Sequence, residues 1–355
     1  MKFSICIPNY NYELYLGRTI RSVLDQENVD LEILVSDNAS TDGSLNVARG
    51  FQDPRIRVRV NALNVGFSAN LDRAARMADG DYMIMLSSDD LILPDALATY
   101  QALLGRVSGP ERGVVISATW NVISSNDEPV GRDGPHPELW TAADRVPELE
   151  KLAGGPTYRV SGEELLRRCL LRMKNPFNFA ATCYSRALYD AVEGYGGNRL
   201  MNPDKAFHWK LLSVAESAYF VDRPLFAYRV HATNQKSQES AMSALKYMVD
   251  EYVSTLELDS GLLARLGLSR DEVLDAFVEY DVARHGLATL ATDGRVRARR
   301  ILDFGRAAYP THVRRNRRAR ILRLLLALGP IGQKLAERTY RLRQNGTTKS
   351  KQMLQ

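Results

Sequence analysis

"YMIMLSSDD", residues 82–90, carries an unbroken apolar stretch into two serines and two adjacent aspartates. An apolar run without polar alternation reads as a strand covered on both faces, the pattern of a parallel sheet between helix layers. Two neighbouring carboxylates repel unless a cation sits between them or they point apart. A divalent cation meets the first condition. An N-cap for a helix starting near Pro94 meets the second.

The flanking sequence repeats strand and helix patterns at close spacing. "FSICIP" (3–8), "LEILVSD" (31–37), "IRVRVNA" (56–62) and "YMIMLSS" (82–88) have strand character. Helical patterns lie between them at 15–26, at 40–51 with a Ser40/Thr41 cap, and at 67–78. Repeated βα units of this length predict a doubly wound parallel sheet. Such sheets bind ligands beyond the carboxyl ends of their strands, where Asn9, Asp37, Asp89 and Asp90 all fall. Further on, strands are expected at 114–123 and 177–185, and two short ones about a turn within 218–231. Helices are expected at 161–172, 186–192 and 205–216. Residues 124–160 read as a long surface excursion, and the chain from about 240 onward as helical.

The bulk composition excludes several classes. The 355 residues are 45% apolar and 25% charged, which is ordinary for a soluble globular chain. Cys6, Cys169 and Cys183 form no CxxC pair or Cys/His cluster, so a zinc site or disulfide framework is disfavoured and a reducing cytosol is expected. No signal-cleavage pattern follows "MKFSICIP". The apolar stretch "ILRLLLALGPIG" (321–332) contains Arg323 and Pro330 and falls short of the about 20 residues a spanning helix needs. The net charge of +5 conceals an asymmetry. Residues 295–351 hold 17 Lys and Arg against only Asp303 and Glu337, a net of +15, and the remainder carries −10.

Four pieces then stand in a telling order: "IPNYNYELYLGRTIRSVLDQ", "LEILVSDNASTDGS", "NVGFSANLDRAARMADGDYMIMLSSDDLILPDAL" and "YRVHATNQ". Through them the chain resembles the inverting family 2 glycosyltransferases of GT-A fold, over roughly residues 3–100 and more loosely 175–235. The resemblance implies an α/β fold: a GT-A, Rossmann-like nucleotide-diphospho-sugar transferase sheet with helices on both faces and a helical C-terminal region. It divides the chain into a catalytic domain at 1–238, with a nucleotide-binding half at 1–100 and an acceptor half at 101–238. A helical basic region at 239–343 and a disordered tail at 344–355 follow.

The resemblance also implies a nucleotide-diphosphate sugar donor, UDP first, with dTDP and GDP as alternatives. The base is expected near Pro8, Tyr10 and Asp37, with Asn9 at the same strand tip, and the ribose near Ser88. Arg73 points to phosphate or to a solvated helix face. A divalent metal, Mg2+ or Mn2+, is expected on Asp89, with Asp90 and His231 of "YRVH" beside it. The family motif commonly reads Asp-x-Asp-Asp; here Ser87 replaces the first carboxylate. Asp204 in "MNPDKAFHWKLL" takes the general-base position, Pro203 standing where the family often has Glu. A plain helix cap at Asp204 stays open, and Asp222 competes as base although "VDRP" reads as a turn.

The expected activity is transfer of a single sugar, with inversion, to a hydroxyl of a glycan or lipid-linked acceptor. The QxxRW motif and membrane helices of processive synthases are missing. Bacterial surface polysaccharide assembly is the setting the resemblance implies. A nucleotidyltransferase of similar fold is a rival, but "PNYNYELY" occupies the place of its Gly-rich loop. No GxGxxG supports a dinucleotide dehydrogenase. A catalytically silent glycan- or nucleotide-binding module stays open because of Ser87 and Pro203. The basic segment "RRNRRARILRLLLALG" suits either an anionic membrane surface or a helix packed on the body with its arginines in water. The chain would then be cytoplasmic and peripheral on the inner face of the membrane. Nucleic acid is the least supported partner, since no motif or aromatic platform accompanies the charge.

Overall fold

A computed structural model describes residues 1–107, 113–196, 200, 203–231 and 244–352, excepting the side chains of 244–247 and 343–352. The chain forms two units: Met1–Cys169 with Lys174–Asn234, and Leu170–Met173 with Gln235–Gln355.

The first unit opens with β1 (Lys2–Asn9), α1 (Glu13–Leu24), β2 (Asp30–Asp37), α2 (Ser44–Arg49), β3 (Ile56–Val60), α3 (Phe67–Ala75) and β4 (Tyr82–Met85). Each βα step returns the chain parallel to its start, so β1 pairs parallel with both β2 and β4, and β2 with β3. The second half adds β5 (Leu91–Ile92), α4 (Ala96–Val107), β6 (Val114–Ile123), β7 (Pro129–Asp133), α5 (Pro147–Ala153) and β8 (Thr157–Ser161). It ends with α6 (Gly162–Leu170), β9 (Cys183–Ser185), α7 (Arg186–Ala191), α8 (Asp204–Val214) and β10 (Ser217–Arg229).

The sheet runs β3-β2-β1-β4-β9-β6-β10-β5, with β7 beside β6 and β8 beside β10. It is therefore mixed rather than wholly parallel. Strand β9 is antiparallel to β4 and to β6. Two reversals through β9 restore direction, so β6 and β10, which pair parallel, point the same way as β4. The carboxyl ends of β1, β2, β4 and β10 consequently share one edge. From β1 the chain moves to β2 and β3 on one side, then crosses to β4 on the other. That reversal opens a crevice between β1 and β4. All of Tyr82–Met85 is buried, as an unbroken apolar strand requires, each such side chain contributing about 2 kcal/mol.

Several expectations need correction. Helix α2 starts at Ser44, because the Ser40 backbone and hydroxyl are drawn back to the Asp37 carboxylate at 2.9 and 2.7 Å and leave no cap for an earlier start. The strand expected at 177–185 is only Cys183–Ser185. A tight turn at Phe179–Ala181 precedes it, closed where Thr182 Oγ1 donates to the Asn178 carbonyl at 2.6 Å. The two short strands within 218–231 are one strand, β10, whose register slips between Val221 and Phe226 where Pro224 has no N–H to give. The surface excursion at 124–160 holds β7, α5 and β8; β7 folds back on β6 as a hairpin, and β8 pairs with β10, a partner remote in sequence.

The second unit is helical. Its elements are α9 (Ala244–Leu256), α10 (Ser260–Arg265), α11 (Arg270–Phe277), a wide π-type segment (Val278–Arg284) and α12 (His285–Thr292). Then come α13 (Arg295–Ala308), α14 (Pro310–Arg315), α15 (Arg317–Ala327) and α16 (Pro330–Gln352). Of the tail set at 344–355, residues 353–355 lie outside the described residues, as does the boundary region near 235–240. Asn316 caps α15 by accepting from the Ala319 N–H at 2.9 Å. Gly305 lets α13 pack closely: a Cβ there would come 2.6 Å from Val282 Cγ1. No helix among the described residues is long and apolar enough to cross a membrane.

Candidate active site

At the end of β1, Pro8 and the buried Asn9 sit in register with Ser36 and Asp37 of β2. Asn9 Nδ2 donates to Asp37 Oδ2 at 2.8 Å, while Asn9 Oδ1 is buried with no partner among the described residues. Both Asp37 oxygens accept from Ser40, and Ser40 Oγ in turn accepts from the Asn11 N–H at 3.0 Å. Two loops are thus cross-tied, and the unpartnered acceptor between them is the Asn9 carbonyl. Tyr10 stands at the tip, 41% exposed.

The "SSDD" turn follows β4. Ser88 Oγ donates to the Pro8 carbonyl at 2.9 Å, pinning the turn to β1 across the crevice. The Thr19 hydroxyl lies 2.8 Å from the Ser88 carbonyl and 2.9 Å from that of Asp90, one proton shared between two acceptors. The two aspartates have different partners. Asp89 Oδ2 lies 2.9 Å from His231 Nε2, and the imidazole packs on Tyr15 with ring centroids 4.5 Å apart. Asp90 Oδ1 accepts from the Arg229 backbone N–H at 2.9 Å. Burial, then the adjacent Asp89 charge, pushes the Asp90 carboxyl well above the usual carboxylate range.

Arg229, 0% exposed, ties these pieces together. Its Nε donates to the Asp89 carbonyl at 2.7 Å, its NH1 pairs with Asp127, and its guanidinium lies 5.1 Å from the Tyr15 ring centre. Arg18 holds Asp127 from the other side at 2.6 Å. A buried cation is therefore present, but it pairs with Asp127 and with backbone carbonyls.

Asp89 and His231 offer one carboxylate, a hard oxygen donor, and one imidazole, a borderline nitrogen donor, on neighbouring atoms. No group of three His, Cys, Asp or Glu among the described residues forms a complete ligand set. The pair fits such an ion as a partial set, to be completed by ligand oxygens.

Asp204 belongs to another network. It opens α8, and Asn175 Nδ2 donates to its Oδ2 at 3.0 Å. His208, one turn further along α8, lies with Nδ1 2.7 Å from Asn175 Oδ1; burial pushes its imidazole down to about 3, so the neutral ring donates Nδ1–H. Arg73 NH1 donates to Asn61 Oδ1 at 2.7 Å, within an asparagine cluster that includes Asn38 and Asn70. Asp222 accepts from Thr119 and Arg132 in the irregular part of β10. Sequence reasoning missed Arg229, Asp127, Asn175 and His208. Only His208 left a signal, its four-residue spacing from Asp204.

Residues 4–171 match the family model of Glycosyl transferase family 2. The abequosyltransferase RfbV of Salmonella typhimurium is 40% identical over 109 residues, covering 29% of this chain and 33% of that protein. A Campylobacter jejuni protein, GalNAc(5)-diNAcBac-PP-undecaprenol beta-1,3-glucosyltransferase, is 34% identical over 101 residues, covering 28% and 33%. The chain thus spans about a third of the length of these relatives. The crystal structure of Staphylococcus aureus TarS 1-349 in complex with UDP-GlcNAc superposes with a TM-score of 0.63 at 18% identity, covering 96% of this chain and 92% of that one. At that identity the likeness is one of fold.

Proposed function

The chain belongs to glycosyl transferase family 2 through residues 4–171, and from that premise we propose that it transfers one sugar from a nucleotide-diphosphate donor to a hydroxyl of a glycan or lipid-linked acceptor, with inversion. The observation that carries this reading is the Asp89–His231 pair, 2.9 Å apart and buried at the carboxyl edge of the sheet. The relatives' names support it: an abequosyltransferase, and a glucosyltransferase named for a diphospho-undecaprenol substrate. TarS has been crystallised with UDP and with UDP-GlcNAc, which makes UDP the first donor to test.

Asn9 Oδ1 accepts a hydrogen bond from an imide-like base edge, and the Asp37 carboxylate holds the Asn9 amide in the orientation that allows it. Tyr10 offers its ring to the base, and Ser88 keeps lone pairs for a ribose hydroxyl. Asp89 and His231 would hold a divalent cation, which supplies charge neutralisation at the leaving diphosphate. Asp204, fixed by Asn175, takes the proton of the acceptor hydroxyl as its oxygen bonds to the anomeric carbon. The nucleoside diphosphate leaves from the opposite face with the electron pair of the glycosyl–phosphate bond, which inverts the centre. Arg73 serves the asparagine cluster beneath the base.

A lipid-linked acceptor puts the chain at the inner face of a bacterial membrane, with the basic C-terminal segment as its contact, in cell-envelope polysaccharide assembly. The test is nucleotide release from UDP-, dTDP- and GDP-sugars with and without Mg2+ or Mn2+. Metal-dependent release that Asp89→Ala abolishes is expected. Release from none of them, together with an inert Asp89→Ala change, overturns the reading.

A further inference from the structure

Acids in the C-terminal helical unit neutralise one set of its arginines and leave another set clustered. Asp275 lies 2.9 Å from His312 and pairs with Arg315 at 2.7 Å. Glu279 pairs with Arg284 at 2.8 Å and also with Arg318. By contrast, Arg306, Arg314, Arg320 and Arg323 line a cavity of about 440 Å³ between α13, α14 and α15. One acid, Asp303, shares that lining, and its carboxylate is 4.0 Å from Arg306. The side chains of Arg314, Arg320 and Arg323 make no hydrogen bond or ion pair among the described residues.

Four cations around one space repel each other unless an anion enters. Guanidinium forks match phosphate oxygens in pairs, which makes a phosphate the fitting anion. The cavity walls are otherwise apolar, with Leu302, Pro310 and Val313 among them. Arg320 also starts a stripe along α15. Leu324 and Leu328, the latter just past the end of α15, follow at steps of four, 61% and 45% exposed, and Ile321 of α15 and Ile331 of α16 are also exposed. A soluble phosphate ester would engage the arginines and leave these side chains in water. A lipid surface satisfies both.

We propose that this cavity binds the phosphate of an anionic lipid headgroup while Ile321, Leu324, Leu328 and Ile331 enter the acyl boundary of the same leaflet. The proposal rests on the membrane-surface part of the proposed function and is separable from sugar transfer. Apolar burial at the interface and attraction between arginines and lipid phosphate add together in this arrangement.

The test is co-sedimentation of the full chain with phosphatidylcholine vesicles, with and without phosphatidylglycerol. Binding only to the anionic vesicles is expected. Arg320→Gln/Arg323→Gln should weaken it about thirtyfold, and Arg320→Lys/Arg323→Lys, which keeps the charge without the fork, should fall between. Arg338→Gln/Arg341→Gln removes equal charge from α16 and should change binding less than about threefold. Leu324→Ser/Leu328→Ser should weaken vesicle binding with the arginines intact. Equal losses in the two glutamine pairs would show a diffuse basic surface and overturn the pocket. Millimolar inorganic phosphate that displaces the vesicles outright would make it a soluble-anion site, and no vesicle binding by the wild type would sink the idea. Vesicle-free nucleotide release should be unchanged in Arg320→Gln/Arg323→Gln, so the pocket and the transferase reading fail separately.

Discussion

Buried carboxylates at the two opposite edges of the sheet are balanced in opposite ways. At the amino end, Glu32 Oε2 accepts from Lys2 at 2.8 Å and Arg57 at 2.9 Å, while Oε1 accepts from Ser4 at 2.6 Å and the Asp79 N–H at 2.7 Å. Every lone-pair direction has a partner. At the carboxyl end, Asp89 and Asp90 are adjacent; Asp89 meets an imidazole, and Asp90 accepts from the Arg229 backbone amide and the Ser87 side chain. The nearby Arg229 guanidinium pairs directly with Asp127 and only partly offsets the charge at Asp90. The amino end is complete and serves the fold. The carboxyl end holds carboxylates that a bound cation would balance, and this asymmetry is what the proposed transferase site rests on.

The comparison breaks most sharply at Asp89. Asp89→Asn should cut nucleotide release by about 10³-fold or more, equivalent to about 4 kcal/mol, with a thermal midpoint equal to or above wild type because a like-charge contact is gone. Initial rates across a metal titration and a melting curve check both halves; a lower midpoint with full activity would reverse the assignment. Next is Asp204→Asn, which should lower kcat by 10²- to 10³-fold, roughly what a lost general base costs, at little changed donor KM. A single-turnover measurement separates the two constants.

Glu32→Gln should do the reverse of Asp89→Asn, leaving activity intact and destabilising the fold by about 1–2 kcal/mol, since Lys2 and Arg57 are partly exposed and screened. Burial alone would raise the Glu32 carboxyl, but Lys2, Ser4 and the Asp79 amide hold it below the usual carboxylate range. Its contribution is therefore full above the unfolded value, about 4.3, and is lost as pH falls through the folded one. Urea melts across that range should show wild type and Glu32→Gln converging in acid. The smallest effect belongs to Asn9→Ala. Losing one acceptor for the base should raise donor KM about five- to tenfold with kcat nearly unchanged, seen in donor saturation curves.

The first hundred residues were legible because their structure is local. The strands end close to Asn9, Asp37 and the "SSDD" turn, where polar residues interrupt apolar runs, and the βα spacing leaves few topologies. Residues 124–160 were opaque for the opposite reason. Strand β7 has a weak, fully exposed pattern as the outer strand of a hairpin with β6, and β8 exists through pairing with β10, about sixty residues further on. The same holds at the site. Asn175 and His208 lie 33 residues apart, and nothing in either neighbourhood announces that they meet at Asp204. Asp37 was expected to face the base; in the structure its oxygens accept from Asn9 and Ser40, and the Asn9 side-chain Oδ1 beside it has no partner among the described residues.

The amino-acid sequence by itself determined that polar side chains would gather at one edge of the sheet, because strand period and strand-stopping residues act over a few positions. It could not divide the work between Asp89 and Asp90. That division depends on β10, which brings His231 to Asp89 across 142 residues and the Arg229 amide to Asp90 across 139. A hydrogen bond is set by distance and angle in space, so two chemically identical neighbours acquired different partners only once the distant strand had docked.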